Sequence, residues 1–270
     1  MTQIQNEKET AGGPARIARE PQVYLVGRET VNDAEIQRFL GDQAATWSTD
    51  TEVGAERLTE MGGRLCYMSF GKGRKTNHEF LGHILEVGHG SVLEHAVWNF
   101  VLTDVSRSLT HELIRHRAGF AYSQLSQRYV NESDASFIEP DCIAQDPEAH
   151  RIWLEAIEAS RRGYDGLVAR LETRFDHVEN KTLRRKMARQ AARSVLPNAT
   201  ETRIFVTANA RALRHFIELR GSYEAEDEIR KLAIRMLEIL QAESPNLFGD
   251  FRIETREDGT RVAVTDHHKV

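Results

Sequence analysis

The densest run of chemically capable side chains lies between Arg115 and Tyr129, which reads Arg115-His116-Arg117-Ala118-Gly119-Phe120-Ala121-Tyr122-Ser123-Gln124-Leu125-Ser126-Gln127-Arg128-Tyr129. It holds three fixed cations, one titratable imidazole and several neutral hydrogen-bonding groups. Guanidinium forks match phosphate and carboxylate oxygens, while Gln and Ser side chains can read the edge of a heterocycle. Gly119 lets the backbone turn away from a preceding helix. The same composition also suits an arginine-rich loop paired with acidic helices. A second basic run, Lys181 to Thr200, carries six basic residues and no acidic one. The whole chain has a net charge of −5, from 36 Lys and Arg against 41 Asp and Glu. Basic patches confined within an acidic protein suit small anionic ligands such as phosphates, and equally suit a solvated helix face.

Several other chemistries are excluded by spacing. His111-Glu112-Leu113-Ile114-Arg115-His116 places its histidines at i and i+5 rather than i and i+4. At about 100° per residue the second imidazole swings roughly 140° around a helix, so a two-histidine zinc site fails, and no other metal-ligand set is found. Nucleic-acid binding through Lys181 to Arg193 is disfavoured by the net charge and by the lack of aromatic stacking residues there. Gly71-Lys72-Gly73-Arg74-Lys75-Thr76 lacks the Gly-Lys-Ser/Thr ending of a phosphate loop and reads as a mobile basic turn. Cys66 and Cys142 are too few for a disulfide scaffold, have no neighbouring base, and read as buried or incidental thiols.

Order and spacing add to composition. Arg115-His116-Arg117 followed by Ser126-Gln127-Arg128-Tyr129 resembles the Arg-His-Arg, seven residues, Ser signature of the flavin-dependent thymidylate synthases. Here eight residues intervene, read as a one-residue insertion near Ala118-Gly119. Two further segments agree in the family's order. One is Ala192-Arg193-Ser194-Val195-Leu196-Pro197 with Thr207-Ala208-Asn209-Ala210-Arg211 and His215-Phe216-Ile217-Glu218-Leu219-Arg220. The other is His89-Gly90-Ser91-Val92-Leu93-Glu94-His95, with Gly63-Arg64-Leu65-Cys66-Tyr67 upstream. The resemblance runs from about Gly63 to Ala233.

The resemblance implies reductive methylation of dUMP to dTMP, with FAD as cofactor and NADPH and 5,10-methylenetetrahydrofolate as co-substrates. It implies that Ser91, Arg115, His116, Arg117, Gln124, Asn209, Arg211 and His215 contact FAD. It assigns dUMP to Glu112, Arg115, Gln124, Ser126, Gln127, Arg128, Arg193 and Arg220. Glu112 departs from an expected Gln, His215 from an Asn and Cys66 from a Ser. Thiol-dependent thymidylate synthases activate uracil with a Cys in a Pro-Cys-His-Gln setting, which this chain lacks. In the flavin route a positioned cation stabilises charge developing on the ring, and the resemblance gives that role to Arg220, which cannot deprotonate. Ser126 is read as a hydrogen-bonding group, since a serine without a base is a poor nucleophile. The family's sites are shared among the subunits of a homotetramer.

These residues need elements to hold them. Residues 1–21 are polar and aperiodic and are predicted to be a disordered leader ahead of one domain over residues 22–270. Gln22 to Val26 reads as a strand ended by Gly27, followed by short helices around Asn32 to Leu40 and Glu52 to Met61. Phe80, Ile84 and Val87 predict one face of a helix over Asn77 to Val87, closed by Gly88. Ala96 to Thr103 and Arg203 to Thr207 read as strands, and Ser106 to Arg115 as a helix stacking Leu109 on Leu113. Helices are predicted over Pro147 to Arg174, Lys181 to Ser194, Ala210 to Arg220 and Glu224 to Ala242. A hairpin pairs Phe251 to Thr255 with Arg261 to Thr265, and His267-His268 reads as a tail. The mixture lacks a βαβ rhythm and predicts an α+β domain with helices packed on a sheet, which the resemblance specifies as a central, mainly antiparallel sheet flanked by helices. With no apolar stretch long enough to span a bilayer and no hydrophobic signal core, the expected location is the cytoplasm.

Overall fold

The two most buried strands explain the architecture. In β3 (Val97–Ser106) Trp98, Phe100 and Leu102 are fully buried, and in β6 (Glu201–Asn209) Thr202, Ile204, Val206 and Ala208 are buried with the same period of two. Alternation of that kind gives each strand one apolar face. The strands run antiparallel: Ala210 N donates to Ala96 O at 2.8 Å, Asn99 Nδ2 to Thr207 Oγ1 at 2.7 Å, and Arg107 N to Thr200 O at 3.0 Å. In this computed structural model, which describes residues 15–268, they form the centre of an antiparallel sheet ordered β2-β3-β6-β4, with β2 (Gln22–Arg28) and β4 (Phe120–Gln124) at its edges. The fold is the mixed helix-and-sheet arrangement expected.

The chain packs as two compact units, and it passes between them inside β3, β4, β6 and the helix that follows β3. The first unit comprises the described residues up to Glu20 with 103–110 and 124–203. Its β1 (Arg16–Ala18) pairs in parallel with β5 (Ser136–Ile138), Arg16 opposite Ser136. This corrects part of the expected leader: residues 16–18 are a strand, because the buried Glu139 after β5 binds Arg19 and His150 and ties the segment down. Residues 1–14 lie outside the described residues. The rest of the unit is the short helix α5 (Asp141–Ala144), then α6 (Pro147–Arg174) packed on α7 (Lys181–Ala192), which ends in a 3-10 turn over Arg193–Val195. Helix α6 begins where Asp146 caps Glu148 N and Ala149 N and Pro147 occupies the first turn.

The second unit comprises 21–102, 111–123 and 204–268. Here α1 (Asp33–Asp42), α2 (Gly54–Cys66) and α3 (Asn77–Glu86) precede β3, and α8 (Ala210–Arg220), α9 (Asp227–Glu243) and the hairpin β7–β8 (Arg252–Thr255 with Arg261–Val264) close the chain. The buried face of α3 is Leu81, Ile84 and Leu85, whereas Val87 is exposed. Gly27 does not end the first strand. It sits inside β2, where an added Cβ would lie 2.5 Å from Asn99 Oδ1, so the sheet needs a residue without a side chain there.

A buried polar network welds this unit. Glu60 Oε1 accepts from Trp47 Nε1 and Arg64 Nε, and its Oε2 accepts from Thr49 Oγ1 and Asn77 Nδ2. Arg64 also donates to the carbonyls of Ser69, Lys72 and Arg74, so the turn read as mobile is clamped from beneath. His267 and His268 are likewise not a loose tail, for they meet Asp250 at 3.1 Å and Glu218 at 2.8 Å. Both cysteines are free and exposed, which corrects the buried reading: each occupies a solvent-facing position at or near a helix end.

Candidate functional site

Within the second unit the site is built where α4 (Arg107–Leu113) gives out. Arg115 N and His116 N make short-turn bonds to Glu112 O and Leu113 O. The Tyr122 hydroxyl lies 2.9 Å from Leu113 O, which already accepts from His116 N, and 2.7 Å from His116 O, so its one proton ties down the end of the helix. Burial pushes the Tyr122 phenol well above its ordinary range, keeping that proton in place. The next turn holds Gly119 at φ +74°, a left-handed conformation. A Cβ there would lie 2.7 Å from Asn209 Nδ2 and 2.8 Å from Ala212 Cβ. Position 119 thus lies in a turn that only glycine fits, and Asn209 N donates to Gly119 O at 3.1 Å. Asn209 Oδ1 in turn caps α8 by accepting from Ala212 N.

His116 is 9% exposed, its ring 5.2 Å from that of Phe216 and 5.9 Å from that of His215. Burial foremost, then Arg220 and His215, lower its pKa to about 4 against the opposing pull of Glu112. The imidazole is therefore neutral at physiological pH, and its Nε2 accepts from Arg220 Nε at 3.2 Å. Arg220, at the end of α8, also donates from Nη1 to Glu112 Oε2 at 2.5 Å. Glu112 thus does not crowd an anion site with a bare charge, because the arginine neutralises it. The Glu226 carboxyl is raised to about 7, first by Glu112, then by burial. These contacts leave the Nη2 edge of Arg220 without a partner among the described residues.

Arg115 and Arg117 are exposed and have no ion pair among the described residues, as is His215. Arg211 is exposed but held by Glu94 at 2.6 Å, and Ser91 sits exposed in the 3-10 turn Gly90–His95. The second unit therefore brings Glu112, His116, Asn209, His215 and Arg220 onto neighbouring stretches of α4, the following turn and α8.

The first unit carries the remaining expected residues. Gln124 Nε2 donates to Thr110 Oγ1 at 3.0 Å and Thr202 Oγ1 at 3.3 Å. Leu125 is pinned on both sides, its N donating to Arg203 O and its O accepting from Arg107 Nη2. That anchor presents Ser126, whose Oγ accepts from Arg128 N, beside the buried Gln127. Lys186 Nζ stands 4.9 Å from the centre of the Tyr129 ring, and Arg189 donates to Tyr129 O at 2.6 Å. Arg193 is exposed, with no ion pair among the described residues. Among the described residues the Nε atoms of Arg107, Arg128 and Arg189 are buried without a hydrogen-bond partner, as is Glu132 Oε1, which meets only the Arg107 guanidinium at 4.0 Å. Burial raises Glu132 to about 7, against the pull of Arg107.

Sequence reasoning did not single out Tyr122, Arg107, Glu132 or Glu226 as site residues. Tyr122 lies in the motif itself, but its role is visible only once the helix is seen to stop at Leu113. Glu226 carries no signal beyond being an acid at the start of a helix. Among the described residues no group of His, Cys, Asp and Glu is arranged to hold a metal ion. A cavity of about 440 Å³ lies elsewhere, lined by Glu29, Arg57 and Trp98 among others.

Residues 49–246 match the family described as thymidylate synthase complementing protein. Flavin-dependent thymidylate synthases are similar over 230 residues: 52% identical in Mycobacteroides abscessus and 54% in Mycolicibacterium vanbaalenii, covering 84% of this chain and 91% of each relative. The fold is similar to that of a UMP/dUMP methylase, PolB, from Streptomyces cacaoi, solved with 5-Br UMP. The TM-score is 0.62 at 19% identity, over 88% of this chain and 96% of that one.

Proposed function

The chain belongs to the flavin-dependent thymidylate synthase family, and from that premise we infer how it works: it methylates dUMP to dTMP, taking the one-carbon unit from 5,10-methylenetetrahydrofolate and reducing equivalents from NADPH through FAD. The observation that carries the reading is the state of Arg220, oriented by Glu112 and a neutral His116 with one guanidinium edge unspent. Such an edge is a preorganised donor for the carbonyl oxygen of a pyrimidine whose ring gains negative charge. Because His116 is neutral, it orients the arginine without adding a competing cation.

The donor set fits the cofactor and the nucleotide. Exposed arginines without carboxylate partners among the described residues (Arg115, Arg117, Arg193), and Arg128 with a buried unpartnered Nε, are suited to phosphate oxygens. Ser91, Arg115, His116, Arg117, Gln124, Asn209, Arg211 and His215 would hold FAD. Glu112, Arg115, Gln124, Ser126, Gln127, Arg128, Arg193 and Arg220 would hold dUMP. When bound, the flavin supplies the reducing equivalents that turn a transferred methylene carbon into a methyl group. Ser126 positions the nucleotide, and neither exposed cysteine takes part. The working form is a homotetramer in the cytoplasm, with subunits sharing sites and with neither nucleic acid nor membrane as partner. Among the described residues no helix is long and apolar enough to cross a membrane.

The test is direct. The purified protein takes up FAD and turns yellow, and with dUMP, methylenetetrahydrofolate and NADPH it yields dTMP. Colourless protein that refuses added FAD and forms no dTMP would overturn the reading.

A further inference from the structure

Eight buried side-chain nitrogen or oxygen atoms have no hydrogen-bond partner among the described residues. Four of them, on Arg107, Arg128, Glu132 and Arg189, lie in the first unit around the segment that carries Ser126 and Arg128. Three others, Glu29 Oε2, Arg57 Nε and Trp98 Nε1, belong to residues that line one cavity of about 440 Å³ in the second unit. Buried polar groups are normally met by a partner, and cavities of about 300 to 1,000 Å³ are of the size that holds small molecules. None of the residues around this cavity is among those assigned to FAD or dUMP.

The cavity forms where the chain leaves β2 and meets the start of α2. An added Cβ at Gly54 would lie 2.5 Å from Glu29 O, so the backbone after β2 presses on the first residue of α2. Val53, the N-cap of that helix, supplies no side-chain acceptor, and Gly54 and Ala55 stand in the cavity wall with the first turn uncapped. Trp98 of β3 is fully buried, its ring edge-on to Phe248 at 5.6 Å.

Charge decides what such a cavity takes. Arg28 pairs with Glu243 at 3.0 Å and Arg57 with Asp33, so both guanidinium charges are balanced, while Glu52 in the wall is exposed to solvent. What remains is one carboxylate, Glu29, among donors: Trp98 Nε1, Arg57 Nε and the positive end of α2. A dianion such as phosphate would set its charge against Glu29. A simple cation would leave the donors unmet. A zwitterion satisfies both sets. We propose that this cavity binds a free α-amino acid, its carboxylate held by the first turn of α2 with Arg57 Nε and Trp98 Nε1, its ammonium group by Glu29. Burial pushes the Glu29 carboxyl above its ordinary range, a cost that an ammonium group beside it offsets.

The test uses full-length protein containing 5-fluorotryptophan, in which Trp47, Trp98 and Trp153 give three fluorine resonances. The one missing from Trp98→Phe, which keeps a ring against Phe248, reports on the cavity. Each standard L-amino acid is added separately at up to about 10 mM, enough to detect millimolar affinity. At least one shifts the Trp98 resonance to saturation, and its N-acetyl derivative and its decarboxylated amine do not. Its affinity falls at least about tenfold in Glu29→Gln, which loses the charge on the hydrogen bond, and dTMP formation by that variant is unchanged. No amino acid moving the Trp98 resonance overturns the inference, as does an affinity indifferent to Glu29→Gln or to acetylation. A shift confined to Trp47 or Trp153, or inorganic phosphate bound in place of every amino acid, overturns it equally. Calorimetric affinities of the wild type and Glu29→Gln decide the matter even if Trp98→Phe does not fold.

Discussion

Two arginine–glutamate pairs in the second unit sit in opposite chemical situations. Arg64 and Glu60, one turn apart on α2, are 3% and 1% exposed. Arg64 donates to Glu60 and to three carbonyl oxygens and lies over the Phe80 ring, while Glu60 accepts from four donors. Arg220 and Glu112 are 19% and 25% exposed, and the arginine spends only its Nε and one Nη1 bond. Both arginines lie in segments resembling the same family. The first pair is saturated and the second is not, and that difference separates a structural weld from the pair to which we assign the nucleotide.

The comparison can be broken by substitution. Arg64→Ala leaves Glu60 buried without its charge partner and should cost about 3–5 kcal/mol of folding stability, seen as a large fall in the denaturation midpoint. A loss under about 1 kcal/mol would show that saturation does not mark the weld. Arg220→Ala should reverse the pattern. It removes one charge-stabilising donor, so dTMP formation drops about 100- to 1,000-fold. Its stability changes by no more than about 1 kcal/mol, because the pair is partly exposed and screened, and FAD stays bound. Unchanged turnover would remove Arg220 from its role.

His116 sharpens the contrast through pH. Its folded pKa of about 4 lies below the ordinary 6.5, so between those values the unfolded chain binds a proton that the folded chain refuses. Its contribution is complete above pH 6.5 and is lost as pH falls toward 4, amounting to as much as about 3 kcal/mol. An imidazole titration near 6.5 by NMR would contradict the neutral acceptor drawn here. The smallest effect belongs to the thiols. Replacing both Cys66 and Cys142 by Ala should leave dTMP formation intact, and an inactive double variant would return the chemistry to a thiol.

Much of the frame was legible in the sequence, for identifiable reasons. The bounds of α6 follow from Asp146-Pro147 and a long amphipathic run, and those of α8 from Asn209 leading into an apolar stripe that ends at Arg220. Strand β4 was overlooked because Phe120 to Gln124 was read for its chemistry, although its alternate residues are half-buried in strand fashion. Strands β1 and β5 are three residues each and draw their stability from Glu139 and its partners, which no local pattern reveals. Arg115, Arg128, Arg193 and Arg220 were legible as types in an order. That Arg220 is held by Glu112 depends on packing the end of α8 beside the end of α4, a long-range outcome beyond the reach of any motif.

The central claim is that the unspent edge of Arg220 is what the pyrimidine meets. A crystal structure of the protein with FAD and dUMP bound tests it directly. The account predicts Arg220 Nη2 within hydrogen-bonding distance of a uracil carbonyl oxygen, with Nε still on His116. A uracil whose carbonyls are met by other donors, with Arg220 turned wholly to Glu112, would contradict it.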